Sequence, residues 1–220
     1  MLELLKKFLF NFNKQDSQWK GSQEYWNNRY KSGGNSGAGS YNRLAIFKAH
    51  YLNSFIKENK IQTVIEWGCG DGNQLSLANY PNYIGFDVSK KAIQICKKKF
   101  KQDQTKKFIY SGSKNFSTTE KAELALSLDV IYHLIEDDIF NSYMQRLFDS
   151  ASKYVIIYSC NDNKIVTDVI HVKHRIFTQW ISKNMSSNWN LKETVKNKYP
   201  FDINDPNNTS WSDFFIYEKK

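Results

Sequence analysis

The residues best suited to chemistry lie in VIEWGCGDG, positions 64–72, and in GFDVS, positions 85–89. Gly68, Gly70 and Gly72 allow a tight turn and a close approach of backbone to a ligand. A strand before the glycines and a helix start after them would offer amide N–H groups to an anion. Glu66 stands two residues before the first glycine, and Asp87 ends a second strand 21 positions beyond Glu66. An acid there is placed to accept both hydrogens of a ribose diol. Strand, glycines and acid together point to a ligand that carries a nucleoside.

A second glycine-rich stretch, YKSGGNSGAGSY at residues 30–41, has the look of a phosphate loop and fails as one. Gly34 and Gly39 have the right separation, but Ser40 and Tyr41 stand where a lysine and a Ser/Thr are required. No apolar strand leads into it, and a Gly/Ser linker remains the plain alternative.

Proton transfer and anion binding have their own candidates. SLDVIYHLIED, residues 127–137, offers Asp129, Tyr132 and His133. His133 is the leading base, because imidazole titrates near neutral pH; a hydrogen-bonded histidine at a helix start is the alternative. HVKHR places His171 and His174 one helical turn apart beside Lys173 and Arg175, a cluster suited to phosphate or carboxylate. No carboxylate stands at ligand spacing from these histidines, so no metal is expected. An exposed basic turn is the other reading. The polar stretch PFDINDPNNTSW, with Asp202, Asp205 and Trp211, could shape acceptor choice or be an ordinary turn.

These residues need elements to hold them. Residues 42–59 carry apolar positions at helical spacing. TVIEW (63–67), NYIGFDV (82–88), FIY (108–110), AELALSLDV (122–130) and KYVIIYS (153–159) read as strands. KKAIQICKKKF and IFNSYMQRLFDSA read as helices between them. LKETVKNKY and DFFIYEK form a closing antiparallel hairpin on the sheet edge. Strands alternating with helices predict an α/β, doubly wound parallel sheet.

The chain has 220 residues, 40% of them apolar, enough for one well-filled domain with an arm. No apolar run approaches membrane-spanning length. MLELLKKFLF lacks the order of a secretory signal and reads as a short amphipathic helix that packs on the body or on a partner chain. Cys69, Cys96 and Cys160 show no metal or redox spacing, which suits a reducing cytoplasm. The net charge of +9 raises the question of nucleic acid, yet only four of the 31 basic residues are arginine. Lys97, Lys98, Lys99, Lys101, Lys106 and Lys107 read as a solvated helix end.

E-x-G-x-G-x-G followed by the acid of GFDVS resembles the first two motifs of class I S-adenosylmethionine-dependent methyltransferases. The resemblance implies that Glu66 orients the loop and the methionine ammonium side. Gly68, Cys69 and Gly70 would pass close to the methionine portion, Asp87 would hold the ribose and Val88 would cover the adenine. Asp129 at the methionine end and Arg29 in the arm complete the expected cofactor set. YWNNRYKSGGNSGAGSYNRLAIFKA, SLDVIYHLIEDDIFNSYM, YVIIYS, HVKHRIFTQW and YPFDINDPNNTSWSDFFIYEK resemble, as a set, methyltransferases of bacterial capsule and O-antigen biosynthesis.

That resemblance implies a Rossmann-like, seven-stranded sheet with the last strand antiparallel. It also implies S-adenosyl-L-methionine as cofactor and an oxygen acceptor on a sugar or phosphoramidate. His133, His171, His174 and Arg175, near the ends of the fourth and fifth strands, make up the expected catalytic set. Residues 1–58 become an N-terminal helical arm whose glycine-rich loop is a lid, and 59–220 the methyltransferase domain. The expected partner is a small, anionic acceptor, with a homodimer open. Methylation of RNA is the competing function, but no N-P-P-Y-like motif, attacking cysteine or appended RNA-binding module supports it.

Overall fold

The computed structural model describes residues 19–165 and 167–220. The helix expected over residues 1–10 lies outside them. Seven strands form one sheet: β1 (Thr63–Trp67), β2 (Asn82–Asp87), β3 (Lys106–Tyr110), β4 (Ala122–Leu128), β5 (Ala151–Ser159), β6 (Trp189–Val195) and β7 (Asp213–Lys219). Their spatial order is β3-β2-β1-β4-β5-β7-β6. The first five run parallel. β7 lies antiparallel to β5, with Ile157 opposite Phe215, and β6 closes the edge as the antiparallel hairpin partner of β7. This is the doubly wound, Rossmann-like sheet with an antiparallel last strand. The outer edge carries Lys192 and Glu193, and charge on an edge strand discourages further pairing.

The described α-helices are α1 (Ser22–Lys31), α2 (Asn42–Glu58), α3 (Lys90–Lys99), α4 (Asp137–Asp149) and α5 (Phe177–Asn184). α2 buries Leu44, Ala45, Ala49, Leu52, Phe55 and Ile56, one stripe at three- and four-residue spacing. α4 buries Phe140, Met144, Leu147 and Phe148 in the same manner. The two stripes cover opposite faces of the sheet. Ile156 packs with Leu52, Phe55 and Phe214, whereas its neighbour Ile157 packs with Met144, Leu147 and Phe177. Successive strand residues must point to opposite faces, so a sheet covered on both sides needs such apolar runs. Trp67 and Phe86 stack at 4.4 Å under the ends of β1 and β2.

Four local expectations change. The helix start expected after the glycine loop is only a 3-10 turn, Leu75–Leu77. Asn53 of α2 takes the Leu77 carbonyl and the Asn79 amide, which turns the chain down into β2 before a helix can propagate. The strand expected to reach residue 130 stops at Leu128, because Asp129 adopts a left-handed backbone, φ 58°. β6 covers 189–195 instead of 191–199. Two further helices form where none was expected: α1, which has no clear apolar stripe and buries only Ser22 and Tyr30, and α5, which buries Phe177 and Ile181 one turn apart.

Candidate active site

β1 and β4 are neighbours whose following connections leave toward β2 and β5, so a crevice opens at their C-terminal ends. It holds a cavity of about 630 Å³, within the range of small-ligand pockets. Glu66, Gly68, Cys69, Gly70, Asp87, Val88, Asp129 and His133 all line it. Arg29, His171, His174 and Arg175 do not.

The glycine loop has spent its donors. The amides of Gly68 and Cys69 both donate to the Phe86 carbonyl, and that of Gly70 to Asp87 Oδ2 at 3.0 Å. The Asp71 amide donates to Ser36 Oγ, that of Gly72 to the Cys69 carbonyl and that of Asn73 to Asp71 Oδ1. The expected offer of amides to an anion is therefore not made. Close approach is what the glycines provide. A Cβ on Gly68 would lie 2.5 Å from Val130, and one on Gly70 only 2.3 Å from Ser36 Oγ, where φ is also 57°.

Around the loop stand acceptors. Asp87 is buried, and its Oδ1 and Oδ2 take the amides of Ser89 and Gly70 at 2.7 and 3.0 Å. Burial raises its pKa to about 6, while those two amides pull it back down. Glu66 accepts from the Tyr83 hydroxyl at 2.6 Å, and burial pushes its pKa up to about 7. Gln74 donates to the Ala45 carbonyl and leaves its buried Oε1 without a partner among the described residues, on the cavity wall.

The fourth acceptor is organised by a residue the sequence did not announce as functional. Lys48 of α2 is fully buried, and its Nζ meets Asp129 Oδ2 at 2.5 Å. Tyr132 and Ser212 donate to Asp129 Oδ1 at 3.0 and 3.3 Å. Asp129 thereby joins α2, the end of β4, the Ile131–His133 turn and the β6–β7 loop. A non-glycine residue at φ 58° is an outlier that its surroundings must hold in place. The signal for Lys48 was present: a charge inside the apolar stripe of α2, four residues after Leu44 and four before Leu52.

The arm covers this wall. Ser36 and Asp71 exchange hydrogen bonds, the Ser36 amide to Asp71 Oδ2 and the Asp71 amide to Ser36 Oγ, each 3.0 Å. Tyr41 also donates to Asp71 Oδ2, and Tyr30 shares a bond with Ser36 Oγ. At the other end, Glu136 accepts from the Ser22 amide, the Ser22 hydroxyl and Trp19 Nε1. Arg29 lies behind Trp26, with its Nε donating to the Asn35 carbonyl. Trp26 itself lines the cavity.

The histidines do not assemble as expected. Residues 171–175 are non-helical, so His171 and His174 share no helix face. Arg175 donates to the carbonyls of Leu134 and Ile135 and, like Lys173, to Asp137, which holds the Asp137 carboxyl at about 2. The expected anion cluster does not form among the described residues, because both cations fasten the start of α4. His174 leaves a buried Nδ1 unpartnered among the described residues. His171 instead stacks between Tyr25, at 4.3 Å, and His133, at 5.4 Å, with Trp26 edge-on to both imidazoles.

His133 Nδ1 is 2.9 Å from the His171 carbonyl. A carbonyl only accepts, so Nδ1 carries the proton and Nε2 keeps its lone pair. Burial lowers the pKa of His133 to about 4, with Arg29 adding to the effect, and burial lowers that of His171 to about 3. Both rings are neutral at pH 7, so the expected reason for His133 as base, titration near neutral pH, does not hold: burial makes it a weaker base, and only its free Nε2 lone pair fits the role.

Residues 58–208 match the family described as Methyltransferase domain, over more than half of the chain. The chain belongs to that methyltransferase family. Solved structures share the fold at low identity. The N-methyltransferase NodS from Bradyrhizobium japonicum WM9, in complex with S-adenosyl-L-homocysteine, superposes with a TM-score of 0.66 at 13% identity, over 90% of this chain and 97% of that one. Magnesium protoporphyrin IX methyltransferase from Synechocystis PCC 6803, with the same bound molecule, gives 0.66 at 12% identity over 90% and 98%. The methyltransferase domain of bacterial CtHen1 gives 0.59 at 19% identity over 78% and 96%. No curated protein matches this methyltransferase in sequence.

Proposed function

We propose that this methyltransferase uses S-adenosyl-L-methionine to methylate an oxygen of a small, anionic precursor of bacterial surface polysaccharide. One observation carries the cofactor: the inner cavity wall presents acceptors, not donors. Every amide from Gly68 to Asn73 is engaged within the protein, while Glu66, Asp87, Asp129 and the orphaned Gln74 Oε1 line the space. A pyrophosphate needs donors. A ribose diol and an ammonium bring donors of their own, and a sulfonium brings positive charge. The residues fit S-adenosylmethionine.

When bound, the cofactor supplies an electrophilic methyl group on sulfur. The protein's part is positioning and proton removal. Asp87 holds the ribose hydroxyls, Val88 covers the adenine, and Glu66 with Asp129 faces the methionine ammonium. Trp26 and the 33–39 loop close over the site as a lid and exclude water. His133 Nε2, unprotonated above about pH 5 and within the same cavity, takes the proton of a hydroxyl acceptor. Lys114 and Arg146 also line the cavity, and neither is paired with a carboxylate among the described residues, which supports an anionic acceptor. The polysaccharide assignment is supported by the resemblance of the sequence blocks given above.

Labelled methyl transfer to a panel of sugar hydroxyls, phosphoramidates and RNA tests the reading. Label should enter a small acceptor. His133→Gln should slow a neutral hydroxyl by roughly a hundredfold or more and leave an already anionic oxygen nearly unaffected. Label that enters RNA alone contradicts the proposal.

A further inference from the structure

Gln74 follows the glycine loop, is 5% exposed and lines the cavity. Its Nε2 donates to the Ala45 carbonyl of α2 at 3.1 Å. A carbonyl only accepts, so the amide is fixed with its nitrogen on α2 and its oxygen turned elsewhere. Oε1 meets no donor among the described residues. A buried acceptor left unpaired costs stability, and a side chain held in that state points to a donor brought by a ligand.

Its place in the cavity narrows down that donor. Asn73, the preceding residue, donates to the Ser40 carbonyl at 2.7 Å, and Ser40 lines the cavity too. Gly39 stands against Asp129, where a Cβ on it would lie 2.6 Å from Oδ2. Ala45 and Lys48 are about one turn apart on α2, and Lys48 meets Asp129. Gln74 and Asp129 therefore stand on the α2 side of the cavity. Asp87 ends β2, on the other side of β1 from β4. With the ribose hydroxyls on Asp87, the amino-acid part of the cofactor extends to the α2 side. That part carries one donor group, an ammonium with three hydrogens. Asp129 serves it incompletely: it already takes Lys48, Tyr132 and Ser212, and the charge of Lys48 opposes a second cation beside it.

We propose that Gln74 binds the ammonium of the cofactor's methionine part, with Oε1 accepting one of its hydrogens while Nε2 stays anchored on α2. The arm helix thereby helps to set the methionine end of the site, through a residue outside the E-x-G-x-G-x-G run. The cost of the unpaired oxygen is recovered when the ligand binds. This rests on the reading of the cavity as an S-adenosylmethionine site.

Calorimetric titration of the full chain with S-adenosylhomocysteine and with 5′-methylthioadenosine separates the two parts of the ligand. The second compound has the nucleoside and the sulfur but no amino-acid group. In Gln74→Met, which keeps the length and loses the acceptor, the Kd for S-adenosylhomocysteine should rise about tenfold or more, the loss of one hydrogen bond to a charged group. The Kd for 5′-methylthioadenosine should stay at its wild-type value. Unchanged affinity for S-adenosylhomocysteine overturns the proposal, as does an equal loss for both ligands, which would make Gln74 a support of the loop. If the variant does not fold, carbon NMR of the wild type decides. The side-chain carbonyl of Gln74 should shift with S-adenosylhomocysteine and not with 5′-methylthioadenosine; equal shifts, or none, overturn the proposal. A wild type that binds neither ligand is a different failure, that of the cavity reading itself.

Discussion

The two walls of the cavity are held by different forces and over different distances along the chain. The cofactor wall is held over shorter distances: the amides of the glycine loop go to Phe86, to Asp87 over 17 residues, to Ser36 over 35 and to the loop itself. The facing wall joins α1 to the Ile131–His133 turn and the 169–175 segment, with Ser22 reaching Glu136 over 114 residues. One wall is backbone geometry fixed by glycine and an acid. The other is neutral ring stacking latched by single carboxylates. The first can serve any cofactor-dependent relative, while the second is free to diverge with the acceptor.

Lys48 and Asp129 tie the walls together, and breaking that tie should have the largest effect. Lys48→Met leaves a carboxylate with no counter-ion in a nearly buried position and should destabilise the fold by about 3–5 kcal/mol in urea unfolding. Adding Asp129→Asn should recover most of the loss. A cost below about 1 kcal/mol, the range of an exposed pair, would mean the walls stand independently.

Glu66→Gln sharpens the electrostatic side of the comparison. A carboxyl whose folded pKa is raised stabilises the fold fully below its ordinary range and loses that contribution as pH rises through about 7. The variant, which keeps a partner for Tyr83, should match the wild type near pH 4. It should be more stable at pH 8 by on the order of 2 kcal/mol, read from thermal melts without cofactor. Equal melting curves at both pH values would show that Glu66 is not strained by burial.

Gly70→Ala separates the lid from the cofactor wall. Its Cβ would displace Ser36, and the positive φ adds strain of about 1 kcal/mol. Affinity for S-adenosylhomocysteine should fall about tenfold, or 1.4 kcal/mol, and stability by about 1 kcal/mol, far less than in Lys48→Met. Arg175→Gln gives the smallest effect: about 1 kcal/mol of stability and an unchanged Kd, because its guanidinium serves the start of α4. A tenfold loss of affinity there would return Arg175 to the site.

Much of the cofactor wall was legible because its physics is short-range. TVIEW and DFFIYEK occupy β1 and β7 as read, since buried strands need apolar runs whatever surrounds them. Glu66, the glycines and Asp87 reach one cavity because strand ends and a tight turn bring them there. The other wall was not legible. SQEYWNNRYK folds as α1 with few buried side chains, held by distant Glu136 and Gly112. HVKHR looked like an anion site because charges at helical spacing imply one face, yet no helix forms and the cations turn to carbonyls. Lys48 was hidden inside an apolar stripe, where its partner 81 residues away was invisible.

The central claim is that the acceptor-rich wall binds S-adenosylmethionine through Asp87. Calorimetry with S-adenosylhomocysteine on the wild type and on Asp87→Ala tests it most directly. Saturable binding, weakened about a hundredfold in the variant through loss of charged hydrogen bonds to the ribose, is the predicted result. A folded wild type that shows no binding, or an Asp87→Ala protein that binds as tightly, would contradict it.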